Sequence, residues 1–473
     1  MIDWKNIPNK YIFLAFTFLA LALRSLSFFY SVIDADESTY LVIAQEILQG
    51  KQYYTDVWDT KPIGIFGIFA ATLYVFGKSI WAVRLLATLF LAGTAYFIFR
   101  AIERWGYPRK NALIGGLAYL LMGSMHKWNF PANTELFFNF FTALSLFLLL
   151  GKGGKPKLFW SGLSLGIGFI IKYFVLFDFI AFALYFGFGI FLKKQPGNWK
   201  GLLLNWVLMG LGFVLPFGLV FAYYYFYGPF EAFRFTTFEL PGRYPSRFLP
   251  LDALNFFLGF ALIYLPFVIG FWDTLLHGKD KALRQFGGLW IGLVWIMVLL
   301  PGKHFLHYYF QLLIPTAFVL GGLWSSESRF SDAVKKWKKP IFTALLGLFL
   351  IWNISFQVRR FVWRTDQQRA VATYLENHMQ EDESLYCNSS VIIYFLANRP
   401  PMGKYVHASL LTKPDHQAAV GLDPDREFQD VIDKKPNYLV IENTPPKQLE
   451  PYLQNQCNVI HTVGEHFAIY KRK

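Results

Sequence analysis

The sequence predicts a polytopic α-helical membrane protein with a small soluble α/β domain at its C-terminus. Of its 473 residues, 55% are hydrophobic and only 16% are charged, whereas soluble domains contain about 25% charged residues. Apolar runs that approach the roughly 20 residues needed to cross a bilayer recur up to residue 357. From residue 358 onward charges become frequent and apolar runs become short. We therefore predict a membrane domain over residues 1–357 and a soluble domain over residues 358–473.

Basic residues predict how the membrane domain is threaded. The first apolar run follows Lys5 and Lys10 and has no small-residue cleavage site, which favours an uncleaved first helix with a cytoplasmic N-terminus. Cytoplasmic loops carry an excess of Lys and Arg, and here a count predicts eleven spans with about twice as many basic residues inside as outside. The predicted spans are residues 11–30, 79–99, 110–125, 134–150, 158–171, 174–192, 201–225, 252–272, 286–300, 310–324 and 340–357.

Two apolar stretches are assigned by the same count. The stretch 61–77 would invert the charge ratio if it crossed, so we predict that it is an interfacial helix within the first outer loop, residues 31–78. Residues 158–192 lie between two basic loops, so an even number of crossings is needed, and two short helices meeting near Lys172 satisfy this. The chain then leaves the last span on the outer face of the inner (plasma) membrane. The C-terminal domain is accordingly expected in the periplasm or the extracellular space.

The soluble domain contains both strand and helix patterns. Short apolar runs at 437–442 and 467–472 predict strands, and residues 368–378 place their apolar side chains on one helical face. Both cysteines, Cys387 and Cys457, fall in this domain. A disulfide suits an oxidising compartment, but two free thiols fit the sequence equally well.

Several function classes are disfavoured by what the sequence lacks. There is no zinc-ligand spacing, no Walker A sequence, no GxGxxG fingerprint and no internal repeat. The net charge of +14 would suggest nucleic acid as a partner of a soluble protein. Here the basic residues lie in short loops between apolar runs, so we interpret them as topology signals and predict no nucleic-acid partner.

The predicted topology collects polar side chains on the outer face. Glu135 and Lys172 are placed close to or inside the apolar slab, where ionisable groups are costly and usually face a cavity or a partner. Simpler explanations exist for some of these residues: Asp34 or Asp36 could cap a helix that starts at Ser38, and Lys61 could snorkel to the interface. The predicted outer residues are Asp34, Asp36, Glu37, Asp56, Asp59, Lys61, His126, Lys127, Asn133, Glu135, Lys172, Arg234, Glu239, Arg243, Arg247, Lys303, His304, His307, Tyr308 and Tyr309.

The stretch DADESTYLVIAQEILQGKQYYTDVWDTKPIGIF resembles the first outer loop of bacterial membrane glycosyltransferases of the GT-C fold. It is most similar to the group of protein O-mannosyltransferases and the lipid A aminoarabinose transferase. That group has an Asp-Glu pair, then Tyr-x-Asp, then Lys-Pro, which are here Asp36-Glu37, Tyr54–Asp56 and Lys61-Pro62. Ile63 replaces a second proline that is frequent in the group. The resemblance covers about residues 10–325, with weaker matches at Glu135, at the Gly-rich segment ending in Lys172, and at His307-Tyr308.

This resemblance implies transfer of a sugar from a polyprenyl-phosphate carrier to a lipid, glycan or protein acceptor in the cell envelope. Asp36 would be the general base, and Glu37 would orient it or hold the sugar. Cationic side chains would stabilise the leaving phosphate. No cofactor is required; a divalent cation is compatible with the acidic cluster but the mechanism does not demand one. The expected substrate-binding residues are Asp56, Lys61, Glu135, Lys172, Arg243, His307 and Tyr308.

Two alternatives are carried forward. A lipid-linked glycan transporter, or flippase, would also have many spans, but transporters tend to have internal repeats and charges near the bilayer midplane. This sequence has no evident repeat, and its charges gather on one predicted face. A glycan polymerase or ligase would share the substrate class, and it would place its chemistry in a later outer loop.

Overall fold

A computed structural model describes residues 7–125, 127–187, 199–243, 249–323 and 332–473, without the side chains of residues 127, 199 and 332–338. The predicted candidates His126 and Arg247 lie outside these residues, as does the end of the predicted span 174–192.

Helices dominate the chain up to residue 361. Several are interrupted by a single turn of 3₁₀ or π geometry, for example Ala183–Gly187 and Phe235–Glu239. The helices of eight or more residues in this region are Asn9–Arg24, Ala35–Leu48, Ile63–Phe76, Ile80–Trp105, Arg109–Gly123, Thr134–Leu149, Pro156–Ile171, Val175–Phe182, Trp199–Phe226, Pro250–Ile263, Leu265–His277, Lys281–Leu299, Tyr309–Leu320 and Asp332–Phe361.

The membrane character of these helices is evident in their length and composition. Within the described residues, five helices are long and apolar enough to cross a membrane, or six if one bent pair is counted. The predicted number of eleven spans stays a prediction. The predicted span 252–272 is a bent pair, Pro250–Ile263 and Leu265–His277, whose axes differ by 99°. Pro266 explains the break, because proline suits the first turn of a helix and lacks the N–H that would continue the preceding one.

Two compact units make up the chain. The first comprises Met1–Phe28, Arg84–Phe221 and Ser246–Val362, and the second comprises Phe29–Val83, Ala222–Pro245 and Trp363–Lys473. The helix Ile63–Phe76, which we predicted to be interfacial, therefore folds in the same unit as the C-terminal residues. The predicted domain boundary after residue 357 stays a prediction.

A buried arginine organises the first unit. Arg24 is 0% exposed and donates to the carbonyls of Asn129 and Phe130, at 2.6 Å each, and of Gly123 at 3.3 Å. Burying a charge is costly unless it is hydrogen-bonded, and the guanidinium has five N–H donors that can bind carbonyl oxygens. Arg24 thereby fixes the segment that leads into helix Thr134–Leu149, on which Glu135 lies.

The second unit contains a four-stranded mixed sheet. Its strands are β1 (Leu385–Cys387), β2 (Tyr438–Glu442), β3 (Cys457–Val463) and β4 (Phe467–Arg472), in the order β1-β2-β4-β3. The pair β1–β2 is parallel and the other two pairs are antiparallel. Two of these strands and the helix Gln367–His378 lie where the sequence predicts them. Shorter helices of this unit are Phe230–Arg234, Leu240–Arg243, Ile392–Leu396, Ala408–Thr412, Pro414–Val420, Pro424–Asp433 and Glu450–Gln456.

The sheet order settles the state of the cysteines. Cys387 ends β1 and Cys457 begins β3, and both are free and buried. Strands β2 and β4 lie between them, so three strand spacings of about 4.8 Å separate the two edges. A disulfide cannot join Cα atoms more than about 7 Å apart. Burial raises the pKa of both thiols, which makes them poor nucleophiles.

Candidate active site

The acidic stretch after the first helix forms a capped helix start. Helix Ala35–Leu48 has Asp34 as its N-cap, and the Asp34 carboxylate accepts a hydrogen bond from the Asp36 backbone N–H at 3.4 Å. The helix thus begins three residues before Ser38, the start considered above. Because Asp34 takes the capping role, Asp36 lies in the first turn, where the helix dipole favours a negative charge.

The Asp36 carboxylate receives two partners on one oxygen. Lys61 Nζ lies 2.7 Å and His407 Nε2 lies 3.1 Å from Asp36 Oδ1. The three side chains are 13%, 19% and 15% exposed, in the order Asp36, Lys61 and His407, so the group is sheltered but open to small molecules. Lys61 also lies 3.4 Å from Asp59 Oδ2, and its ammonium is 5.6 Å from the centroid of the Tyr40 ring. These residues, Asp36, Asp59, Lys61, His407 and Tyr40, are the Asp36 cluster.

The local chain fixes Lys61. Pro62 ends the loop, because its ring restricts the preceding residue to extended backbone, and helix Ile63–Phe76 follows. The hydroxyl of Tyr53 is 2.9 Å from the carbonyl oxygen of Asp59 and 2.6 Å from that of Lys61, so it ties this loop to the buried aromatic group beside it.

His407 was not among the residues that the sequence singled out. It is the N-cap of the short helix Ala408–Thr412, and its Nδ1 accepts a hydrogen bond from the Ser409 backbone N–H at 3.2 Å. A backbone N–H can only donate, so Nδ1 carries no proton and the neutral ring has its proton on Nε2. That N–H then donates to Asp36. The sequence signal is weak, since a lone histidine 371 positions from Asp36 belongs to no motif.

Three other predicted residues of this unit lie in different surroundings. Glu37 is 1% exposed, in contrast to the neighbouring Asp36. Asp56 is exposed and accepts a hydrogen bond from the Gln52 backbone N–H at 2.9 Å, which closes a turn. Arg243 pairs with Glu239 at 3.1 Å and is 52% exposed. Their predicted catalytic or substrate-binding roles stay predictions.

A second group forms in the first unit. Lys172 donates to the Glu135 carboxylate, and His307 Nε2 lies 3.9 Å from the same carboxylate oxygen. The Lys172 ammonium is 4.5 Å from the centroid of the Tyr308 ring and 4.6 Å from that of Phe174. These residues, Glu135, Lys172, Phe174, His307 and Tyr308, are the Glu135 cluster. Four of them were predicted from the sequence.

Helix geometry assembles the Glu135 cluster. Glu135 is in the first turn of helix Thr134–Leu149, and Lys172 is the C-cap of helix Pro156–Ile171, at the break that the sequence predicts. The Glu135 residue is only 1% exposed, and its second carboxylate oxygen accepts from the Thr134 hydroxyl at 3.0 Å. The Glu135 charge is therefore compensated inside the protein by an ion pair and a hydrogen bond.

Comparison with known proteins is informative at the level of fold. Residues 60–196 match the model of a family described as dolichyl-phosphate-mannose-protein mannosyltransferase. No curated protein gives a match. The structure of ArnT from Cupriavidus metallidurans is similar over 97% of both chains at 14% identity, with TM-scores of 0.66 bound to undecaprenyl phosphate and 0.69 in the apo state. The chain has the GT-C fold. The resemblance to the protein O-mannosyltransferase and ArnT group is confirmed.

A more distant GT-C structure agrees. The archaeal oligosaccharyltransferase AglB from Archaeoglobus fulgidus, in complex with an inhibitory peptide and a dolichol-phosphate, matches 93% of this chain and 70% of its own at 10% identity and a TM-score of 0.55. With the apolar helices, these similarities identify the chain as a polytopic membrane protein.

Proposed function

We propose that this protein is an integral membrane glycosyltransferase that transfers a sugar from a polyprenyl-phosphate carrier to a lipid, glycan or protein acceptor. The proposal is supported by the GT-C fold and by the family model. The relatives' own ligands also support it, since ArnT binds undecaprenyl phosphate and AglB binds a dolichol-phosphate in the similar structures.

The observation that carries the proposal is the Asp36 carboxylate. It lies at a helix N-terminus, is partly open to solvent and has a lysine and a histidine on one oxygen. A carboxylate within hydrogen-bond reach of the acceptor group can take its proton. In the proposed reaction Asp36 takes the proton of the acceptor hydroxyl or amine as that group attacks the anomeric carbon.

The bond changes require one displacement. The acceptor oxygen or nitrogen forms a bond to the anomeric carbon, and the bond between that carbon and the carrier phosphate oxygen breaks. The phosphate keeps the electron pair, and its developing charge needs cationic neighbours. A single displacement inverts the anomeric centre.

His407 and the remaining predicted residues are proposed to have supporting roles. His407 holds the orientation of Asp36 through its Nε2–H, and Lys61 holds the same carboxylate oxygen through its ammonium group. In the other cluster, Glu135 holds Lys172 in one orientation so that its ammonium can meet a phosphate. Glu37 is proposed to orient Asp36 or to hold the sugar, and Asp56, Arg243, His307 and Tyr308 are proposed to bind the substrates.

The membrane arrangement follows the sequence-derived topology. We assign the N-terminus to the cytoplasm and the C-terminal domain to the outer side of the inner membrane. The acceptor would then be met on the outer face, where no nucleotide sugar is present.

The direct test is transfer by the purified protein in lipid nanodiscs. Labelled polyprenyl-phosphate hexoses and pentoses are supplied with envelope extract as acceptor, and release of polyprenyl phosphate and labelled product are measured together. We expect transfer by the wild type and its near-complete loss in Asp36→Asn, with carrier binding retained.

The matched control is Asp382→Asn, which removes an exposed carboxylate from a turn of the same unit. Full transfer by Asp36→Asn would exclude Asp36 as the base. Movement of intact carrier across vesicles, without any transfer, would identify the protein as a transporter. Elongation of a carrier-linked chain would identify a polymerase.

A further inference from the structure

The soluble part of the second unit contains an open cavity of about 510 Å³. It lies between the end of β1, the segment 401–408 and helix Pro424–Asp433. Its floor is the apolar core of this domain, and its wall includes the aromatic residues Tyr386, Tyr394, Tyr405 and Phe428. The volume is in the range of small-molecule sites.

The floor of the cavity contains a buried tyrosine hydroxyl. Tyr386 is 4% exposed, and its hydroxyl has no hydrogen-bond partner among the described residues. Burial raises the pKa of this hydroxyl, so it stays protonated. The oxygen is closed off from solvent beneath the cavity surface, so it makes the floor more polar but is not reached directly by a ligand.

The rim carries three cations and three carboxylates. Asp423 caps the helix Pro424–Asp433, and Lys434 donates to the Met402 carbonyl at 2.6 Å. Within the described part of the chain, the side chains of Arg426, Glu427 and Asp430 make neither a hydrogen bond nor an ion pair. Partial burial raises the pKa of Glu427. The charged lining residues are Lys404, Asp423, Arg426, Glu427, Asp430 and Lys434.

This composition selects a class of ligand. Equal numbers of positive and negative groups give no net attraction for a phosphate or another strong anion. Unpaired carboxylates accept hydrogen bonds from hydroxyls, guanidinium and ammonium groups donate to them, and tyrosine rings present flat apolar faces. A neutral compound with many hydroxyls and one apolar face fits all three requirements. We infer that this cavity binds a neutral saccharide unit.

The cavity wall is continuous with the Asp36 cluster. The carbonyl of Lys404, a wall residue, accepts a hydrogen bond from the Trp58 backbone N–H at 2.8 Å, and Trp58 precedes Asp59. His407, next to the wall residue Val406, contacts Asp36. A saccharide in the cavity would therefore contact the chain segment that supports Asp36, the proposed base. The assignment of this saccharide to the acceptor rests on the proposed function. The binding of a saccharide to the cavity does not.

The test is ligand-observed NMR on the full-length protein in sugar-free nanodiscs. The probes are mannose, glucose, N-acetylglucosamine, arabinose and lactose, with inorganic phosphate as the anionic probe. We expect saturation transfer to at least one saccharide. Inorganic phosphate has no non-exchangeable proton, so its binding is followed by the width of its ³¹P signal, which we expect to stay unchanged. Gly403→Phe should weaken saccharide binding strongly, because Gly403 lines the cavity and nothing lies within 4 Å of an added Cβ there, so a bulky ring has room to narrow the cavity wall.

A milder variant keeps the test valid if that substitution disturbs folding. Glu427→Gln should weaken binding about tenfold by removing a charged acceptor. Tyr452→Phe, which removes a hydroxyl from the same domain outside the cavity, should bind as the wild type does.

The inference is overturned if no saccharide binds, if phosphate alone binds, or if binding is insensitive to both cavity variants. Asp36→Asn separates it from the proposed function. Saccharide binding that persists in Asp36→Asn supports the cavity even if no transfer is found with any carrier. Sugar transfer by a protein whose cavity binds no saccharide would support the proposed function and overturn the inference about the cavity.

Discussion

In both the Asp36 cluster and the Glu135 cluster, a central carboxylate contacts one lysine and one histidine beside aromatic rings, and the Asp36 cluster contains Asp59 as a second carboxylate. The two clusters differ in exposure and in how the central carboxylate is used. The Asp36 side chain is 13% exposed and binds both partners through Oδ1. Glu135 is 1% exposed, and both of its oxygens accept hydrogen bonds from Lys172 or Thr134.

This difference separates two uses of the same side-chain types. A base must be reached by the proton donor, so the partly open carboxylate suits chemistry. A buried carboxylate with its charge satisfied suits support, because it orients a lysine that a substrate phosphate can meet. Four predictions test this division.

The largest effect is expected on turnover from Asp36→Asn. The amide keeps the shape but cannot take a proton, so kcat should fall by about 10³-fold, within the range for general bases. The KM for the carrier and the thermal unfolding midpoint should change little. A wild-type kcat in Asp36→Asn would show that the catalytic base lies outside the Asp36 cluster.

Glu135→Gln should act mainly on stability. Removing one partner of a buried ion pair leaves the other charge uncompensated, at a cost of about 3 kcal/mol. We expect a lower unfolding midpoint in nanodiscs and a raised KM for the carrier. Glu239→Gln, at an exposed pair with Arg243, is the control and should leave the midpoint within error. A fall in kcat alone, at unchanged stability, would contradict the division.

His407 is expected to position the Asp36 carboxylate. His407→Ala removes the donor to Asp36, and we expect kcat to fall about tenfold, equivalent to one hydrogen bond to a charged group. His407→Gln keeps an N–H donor and should recover most of the activity. Equal loss in both variants, with equal loss of stability, would make His407 a purely structural cap of its helix.

The smallest effect is expected at the ring beside Lys172. Tyr308→Leu removes a cation–π contact of 4.5 Å, worth about 1 kcal/mol, and should raise the carrier KM about fivefold. Tyr308→Phe keeps the ring and should behave as the wild type. A large loss in Tyr308→Phe would instead assign the hydroxyl to the substrate.

The sequence predicted four of the five members of the Glu135 cluster and three of the five members of the Asp36 cluster. Glu135, Lys172, His307 and Tyr308 lie at helix ends, and helix ends can be located from apolar runs and charged loops. Asp36 and Lys61 were found through the resemblance of the first outer loop. His407 was missed because it lies far away in the chain, in a domain without a recognisable motif.

By itself the sequence determined the apolar, membrane-protein character of the chain, the more charged C-terminal region with its strand patterns and the helix break at Lys172, because composition and apolar run length are local properties. Only the tertiary structure decided that residues 29–83 fold with residues 363–473, that the two cysteines stay apart, and that Pro266 bends a predicted span. The same holds for His407 at Asp36 and for the saccharide-sized cavity beside it. Each of these depends on contacts between residues distant in sequence, or on a bend that no hydropathy window resolves.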